Sequence, residues 1–127
     1  MISINLEDAR PLEEQVIAAL RLAIVRGEVQ TGGALPSARQ LAGDLGIHWN
    51  TVARAYRRLN REGLIAVRHG RKAVVTGRPN GSTDAARASL RDDLVEALTL
   101  GRSQGLSRRD LTEVFKDALA HLQERKS

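Results

Sequence analysis

Residues 46–63 read GIHWNTVARAYRRLNREG, and the helix that they predict is the best starting point for the rest of the chain. Each residue of an α-helix advances about 100° around the axis. The apolar residues that share one side of this helix are Val52, Ala55, Tyr56 and Leu59. The other side carries amide, guanidinium and indole groups and no carboxylate of this segment; its residues are Trp49, Asn50, Ala53, Arg54, Arg57, Asn60 and Arg61. We therefore expect a helix from about residue 48 to 62, with one side in a core and a cationic side in solvent.

A short helix and a tight turn precede this segment. Ser37 and Gln40 form the S-x-x-Q pattern of a capping box, in which both side chains accept backbone N–H groups at a helix N-terminus. Gly46 can take the left-handed conformation that ends a helix. Further upstream, apolar residues recur at every fourth position from 12 to 24 and predict a first amphipathic helix from about 11 to 27.

A β-hairpin is predicted after the third helix. The segments LIAV (64–67) and AVVT (73–76) read as two short strands around the tip RHGRK. Three helices followed by a hairpin make a winged helix-turn-helix. The predicted fold class is therefore α+β, mainly α, with a winged helix-turn-helix DNA-binding domain at 1–76.

The remaining chain predicts a linker and a short helical tail. GRPNGST (77–83) has a linker composition, and residues 84–127 contain two amphipathic helices, the second capped by Ser107 and Asp110. A tail this short cannot build a core of its own, so we expect it to form a two-helix dimerisation domain, although folding onto its own winged domain would leave a monomer. The residues predicted to form the dimer contact are Leu90, Leu94, Leu98, Leu111, Val114, Phe115, Ala118, Leu119 and Leu122.

Positive charge is concentrated around the predicted third helix and hairpin. The chain carries 20 Lys and Arg residues against 15 Asp and Glu, a net charge of +5. Between Arg54 and Lys72 there are seven basic residues and one acidic residue, Glu62. Such a basic face suits the phosphate backbone of double-stranded DNA, whereas composition alone would equally allow a solvated surface.

The motifs LPSARQLA (35–42), NTVARA (50–55) and EGLI (62–65) together carry a family resemblance. Residues 10–76 resemble the DNA-binding domain of the GntR family of bacterial transcription regulators. The tail, with LSRRDLTEVFKDALAHL (106–122), resembles the YtrA subfamily, whose tails serve dimerisation. The resemblance implies a homodimer that binds an inverted repeat, most often as a repressor, and in this subfamily commonly at promoters of transporter operons.

The resemblance also implies DNA-contacting positions. These are Ser37, Arg39, Asn50, Thr51 and Arg54 in the second and third helices, and His69 and Gly70 at the wing tip. Arg57, Arg71 and Lys72 add charge for phosphate. His48 and Trp49 replace the Ser-Arg of many family members, so the operator is expected to differ from theirs.

Trp49 has two possible environments. It lies where relatives place a DNA-contacting residue, and indole can contact a thymine methyl or the sugar-phosphate edge. Its position on the helix also borders the core, where it could pack toward Tyr56. We favour the contact with DNA.

Other function classes find little support in the sequence. Cysteine is absent, and His48, His69 and His121 are dispersed without metal-ligand spacing. Asp92, Asp93 and Glu96 read as the solvated side of a helix rather than as a catalytic pair. We therefore predict no metal, no cofactor, no membrane association and no enzymatic activity, in a cytoplasmic protein whose small-molecule effector, if it has one, is unknown.

The predicted function is that of a sequence-specific DNA-binding transcription regulator. Arg39, Asn50 and Arg54 are the candidates for base contacts, and Thr51, Arg57, Arg71 and Lys72 for phosphate contacts. The alternative is an architectural protein that binds DNA with little sequence preference, which would show a steep salt dependence on any duplex.

Overall fold

A computed structural model describes residues 2–67, 72–76 and 84–122. The predicted wing-tip contacts His69, Gly70 and Arg71 and the predicted linker 77–83 lie outside these residues. The described residues belong to two compact units, 2–76 and 84–122. The domain bounds proposed from the sequence stay a prediction.

The helices and strands follow the predicted order, and the fold is mainly helical with one small sheet. Their bounds are α1 (Leu12–Val25), α2 (Ala38–Leu45), α3 (Trp49–Arg61), β1 (Ile65–Ala66), β2 (Val74–Val75), α4 (Asp84–Ser103) and α5 (Arg108–His121). Among the described residues, no helix is both long and apolar enough to cross a membrane.

Local sequence signals set the helix ends as predicted. The Ser37 hydroxyl accepts the backbone N–H of Gln40 at 3.1 Å, and the Gln40 side chain accepts the N–H of Ser37 at 3.1 Å. Gly46 ends α2 with φ of 71°. Ser107 and Asp110 form the same reciprocal pair at the start of α5, and these hydrogen bonds hold the pKa of the Asp110 carboxyl below its usual value.

The core of the first unit lies between α1, α2, α3 and the small sheet. Val16, Leu20, Val52 and Leu59 are completely buried there, and Ile65 is 1% exposed. The apolar side predicted for α3 faces this core, so its outer side is available for contacts with a partner. The other buried apolar residues in the cluster are Ile17, Ile24, Leu35, Leu41, Ala42, Ala55, Tyr56, Ala73 and Val75.

The sheet is shorter than predicted, and one part of it was not expected. β1 and β2 pair antiparallel over only two residues each, with Ile65 opposite Val75. The loop before α2, predicted only as a turn-rich connection, runs along the other edge of β2. The carbonyl oxygen of Val75 accepts the N–H of Gly32 at 2.7 Å, and the N–H of Val75 donates to the carbonyl oxygen of Gly33 at 2.9 Å. This pairing fixes the wing to the segment that leads into α2.

The second unit is a helical hairpin of α4 and α5. Gly105, with φ of 98°, lies in the turn, and Gly101 is buried near the end of α4. A Cβ added at Gly101 would lie 2.9 Å from Cδ2 of Leu111, so the two helices approach closely here. Leu94 and Leu111 are half-buried. The predicted dimer residues Leu90, Leu98, Val114, Phe115, Ala118, Leu119 and Leu122 are exposed in this single chain.

Candidate nucleic-acid interface

The N-terminus of α3 is capped by a histidine. His48 Nδ1 accepts the backbone N–H of Asn50 at 3.1 Å, in the place of a serine or threonine oxygen. This contact requires Nδ1 to be unprotonated and fixes the orientation of the ring. The sequence indicated only that His48 replaces a serine of many family members. The structure shows that the imidazole is the helix cap, beside Asn50 and Thr51 in the first turn.

Trp49 contacts two side chains of the predicted DNA-binding set, Arg39 and His48. The guanidinium carbon of Arg39 is 4.7 Å from the centroid of the indole, a cation–π contact. The imidazole of His48 stacks with the indole of Trp49, with ring centroids 6.0 Å apart and planes inclined by 26°. The indole is 40% exposed. Trp49 therefore joins Arg39 of α2 to the start of α3, and its contact with DNA stays a prediction.

Tyr56 does not pair with Trp49 in the described contacts but holds α3 to the beginning of α2. Its hydroxyl donates to the carbonyl oxygen of Pro36 at 2.7 Å. Burial raises the pKa of Tyr56 from 10.0 to about 12, so the phenol stays a donor in alkaline solution as well as at neutral pH. Pro36 directly precedes Ser37, and this hydrogen bond therefore places the capped end of α2 relative to α3.

The arginines of α3 differ in their partners. Arg54 Nε lies 2.8 Å from Glu13 Oε1, and Arg58 Nη1 lies 2.7 Å from Glu14 Oε1. The helical periodicity of α3 could not reveal that α1 brings two carboxylates to these arginines, because the paired residues are 41 and 44 positions apart. Arg57 makes no ion pair or hydrogen bond with any residue that the structure describes.

Arg58 is held at two points. Besides Glu14, its Nε lies 3.6 Å from Glu62 Oε2, and Arg21 of α1 pairs with the same carboxylate at 2.6 Å. The hydrogen bond to Glu14 is the main cause that raises the pKa of the Arg58 guanidinium. These contacts join α3 to α1. Arg58 therefore serves the packing of the two helices.

A groove between α2, α3 and the wing brings several predicted residues together. It encloses about 410 Å³ and includes Ser37 at the start of α2, Arg57 of α3 and Lys72 of the wing. The two cationic side chains are exposed. Two cations beside a helix N-terminus form a suitable surface for phosphate oxygens. Its other lining residues are Ala38, Ala53, Tyr56, Val67 and Ala73.

The region that contains the three helices and the small sheet matches a known protein family. Residues 12–75 match the model of the gntR family of bacterial regulatory proteins. The chain belongs to the GntR family. Its winged helix-turn-helix is thus the DNA-binding module of a family of transcription regulators.

Individual relatives of this GntR chain include YtrA proteins. It is 36% identical over 76 residues to the HTH-type transcriptional repressor YtrA of Bacillus subtilis, covering 60% of this chain and 58% of that protein. It is 31% identical to the HTH-type transcriptional regulator Rv1152 of Mycobacterium tuberculosis, covering 91% and 95%. The solved structure of YtrA from Sulfolobus acidocaldarius superimposes with a TM-score of 0.63 at 36% identity, over 77% of this chain and 97% of that one. The chain is a regulator of the GntR/YtrA type.

Proposed function

We propose that this GntR regulator binds an inverted-repeat operator as a homodimer and represses transcription, in its own operon or a transporter operon. The cationic outer surface around α3 carries this proposal. Arg39 and Trp49 stack beside the capped start of α3, and Arg57 and Lys72 share one groove. The repressor role is supported by the similarity to the transcriptional repressor YtrA of Bacillus subtilis, of which this chain spans 58%.

The division of roles follows from the chemistry of the side chains. Arg39, Asn50 and Arg54 are assigned to base edges, since arginine pairs with guanine and asparagine with adenine in the major groove. Thr51, Arg57, Arg71 and Lys72 are assigned to phosphate, with Ser37 at the capped start of α2. The family resemblance adds His69 and Gly70 as predicted wing-tip contacts. His48 and Trp49 complete the surface at the start of α3. No step of this function requires a cofactor or a catalytic group.

Dimerisation is supported by the exposed apolar side of the helical hairpin. Leu98, Phe115 and Leu119 are 39%, 44% and 53% exposed, and a groove of about 400 Å³ is lined by Leu94, Leu98, Arg108, Leu111, Thr112 and Phe115. Apolar surface of this extent in a helix pair is typical of an interface. A symmetric dimer would present two copies of α3 to two half-sites of an operator. Acting on the chromosome, the protein would be cytoplasmic.

The test is an equilibrium filter-binding titration with DNA from upstream of the regulator's own gene and with a scrambled duplex of equal length. At physiological salt we expect the upstream DNA to bind about a thousandfold more tightly. If the upstream DNA binds no better, selection from random duplexes follows. Failure of that selection to enrich any sequence would contradict a specific regulator and would favour an architectural protein.

A further inference from the structure

We propose that Glu13, on the first turn of α1, is a positioning residue for sequence readout by the recognition helix. Its carboxylate holds the Nε edge of the Arg54 guanidinium and leaves the terminal amino groups for a guanine base. The inference rests on the proposed function, because it requires Arg54 to contact a base. It adds to that function a specificity determinant on α1, outside the pair of helices α2 and α3.

The contact engages one part of the guanidinium and leaves the rest unpaired. Arg54 Nε donates to Glu13 Oε1 at 2.8 Å, and the Arg54 and Glu13 side chains are 50% and 32% exposed. A guanidinium has five N–H donors in a planar fork. The four donors on Nη1 and Nη2 of Arg54 have no hydrogen-bond partner among the described residues. Two terminal N–H groups are what the O6 and N7 acceptors of guanine require.

Arg58, one turn further along α3, shows what a purely structural arginine looks like here. Its Nη1 is bound by Glu14 and its Nε lies near Glu62, so both edges of the fork face carboxylates. The neighbouring acids Glu13 and Glu14 therefore hold two arginines of α3 differently. Glu13 contacts one edge of its arginine, whereas Glu14 contacts an arginine that also pairs with Glu62.

Restraint of Arg54 has a physical benefit in binding. A free arginine loses side-chain freedom when it docks on a base, and this loss weakens the complex. A guanidinium already held at Nε loses less, and its plane is fixed before the DNA arrives. Exposed ion pairs add little to folding stability, so the effect of Glu13 belongs to discrimination between bases rather than to the stability of the fold.

A competing role for Glu13 predicts the opposite result. If the carboxylate withheld Arg54 from DNA, removing it would strengthen binding to the operator. The positioning role predicts weaker discrimination after the same change. Glu14 provides a matched control, because it carries the same charge at the next position of α1 and pairs with Arg58 instead.

The experiment uses the full-length protein and an operator obtained by selection with the wild type. Arg54→Ala first identifies the base pair at which discrimination falls, by about tenfold or more. At that base pair we expect Glu13→Ala to reduce discrimination roughly fivefold, a share of the effect of Arg54 itself. Glu14→Ala should leave it unchanged. Glu13→Gln, which keeps an acceptor for Nε, should lose less than Glu13→Ala.

The double variant separates positioning from a general effect of charge. In the Arg54→Ala background, Glu13→Ala should cause no further loss of discrimination at that base pair. Equal discrimination in Glu13→Ala and Glu14→Ala, or a tighter operator complex for Glu13→Ala than for Glu14→Ala, would overturn the proposal. A thermal unfolding midpoint shared by the two variants shows that the comparison is between folded proteins. If the wild type selects no operator at all, the proposed function fails first.

Discussion

Two of the three aromatic residues of this chain lie on α3 with contrasting surroundings. Trp49 is 40% exposed and stacked with Arg39, whereas Tyr56 is 6% exposed with its hydroxyl bound to Pro36. The sequence placed Tyr56 correctly in the core, because its position among Val52, Ala55 and Leu59 depends only on helical periodicity. The contacts of Trp49 with Arg39 and of Tyr56 with Pro36 could not be predicted, since these partners lie in α2 and in the loop before it.

Tyr56→Phe tests the value of the hydroxyl contact. Loss of the hydrogen bond leaves the Pro36 carbonyl without this donor, and we expect the free energy of unfolding at pH 7 to fall by about 1 kcal/mol. Because burial raises the pKa of Tyr56 from 10.0 to about 12, the fold favours the neutral phenol. The contribution of the Tyr56 hydroxyl to the free energy of unfolding is complete below pH 10 and is lost as the pH rises through 12.

Urea unfolding of both proteins from pH 7 to 12 provides the measurement. The wild type should lose the advantage over Tyr56→Phe as the pH passes from 10 to 12. All other titrating groups are shared, so they cancel in the difference. A difference in stability that is constant over this range would contradict the assignment.

Element ends were predictable, while contacts between elements were not. The capping boxes at Ser37 and Ser107 and the left-handed Gly46 follow from residues within four positions of one another. In contrast, the pairing of residues 32–35 with β2 and the approach of α1 to α3 depend on how the elements pack. Glu13 and Glu14 lie in the first turn of α1, and periodicity within a helix gives no indication of arginine partners 41 and 44 residues away.

Gly101→Ala tests the close approach of α4 and α5. Alanine in place of glycine inside a helix adds up to about 1 kcal/mol of stability, but here the new methyl would lie 2.9 Å from Leu111 Cδ2. We expect little or no gain in the wild type and a gain of about 0.5–1 kcal/mol in a Leu111→Ala background, where, among the described residues, only Leu106 Cδ1, at 3.4 Å, stays close to the new methyl. Urea unfolding of the four proteins at one protein concentration measures this coupling. Equal effects in both backgrounds would show that Leu111 does not limit the site.

At the scale of the whole molecule, periodicity and charge predicted the fold class and the side of α3 that faces solvent. For the assembly, the sequence predicts only that the helical tail requires a partner surface. An exposed apolar side of one chain does not identify that partner. The site was predicted residue by residue from the family resemblance. The groove that joins Ser37, Arg57 and Lys72 emerged only when three separate elements were folded together.

Phe115→Glu tests the proposed dimer. Phe115 is 44% exposed beside the groove of the helical hairpin, and a charge buried in an interface without a partner is strongly unfavourable. We expect the variant to sediment as a monomer and to bind a two-half-site operator at least about tenfold more weakly, since linked half-sites bind together. Lys116→Gln changes the net charge by the same amount on the same helix and should remain dimeric. A wild type that is monomeric at micromolar concentration would contradict the dimer itself.

The stacking of Arg39 and His48 on the one tryptophan has a practical consequence. All indole emission from this protein originates at a single point, at the junction of α2 and α3. The fluorescence of the unlabelled chain therefore reports the state of that junction rather than an average over the molecule. Trp49 is thus both a part of the proposed DNA-binding surface and an intrinsic fluorescent probe of it.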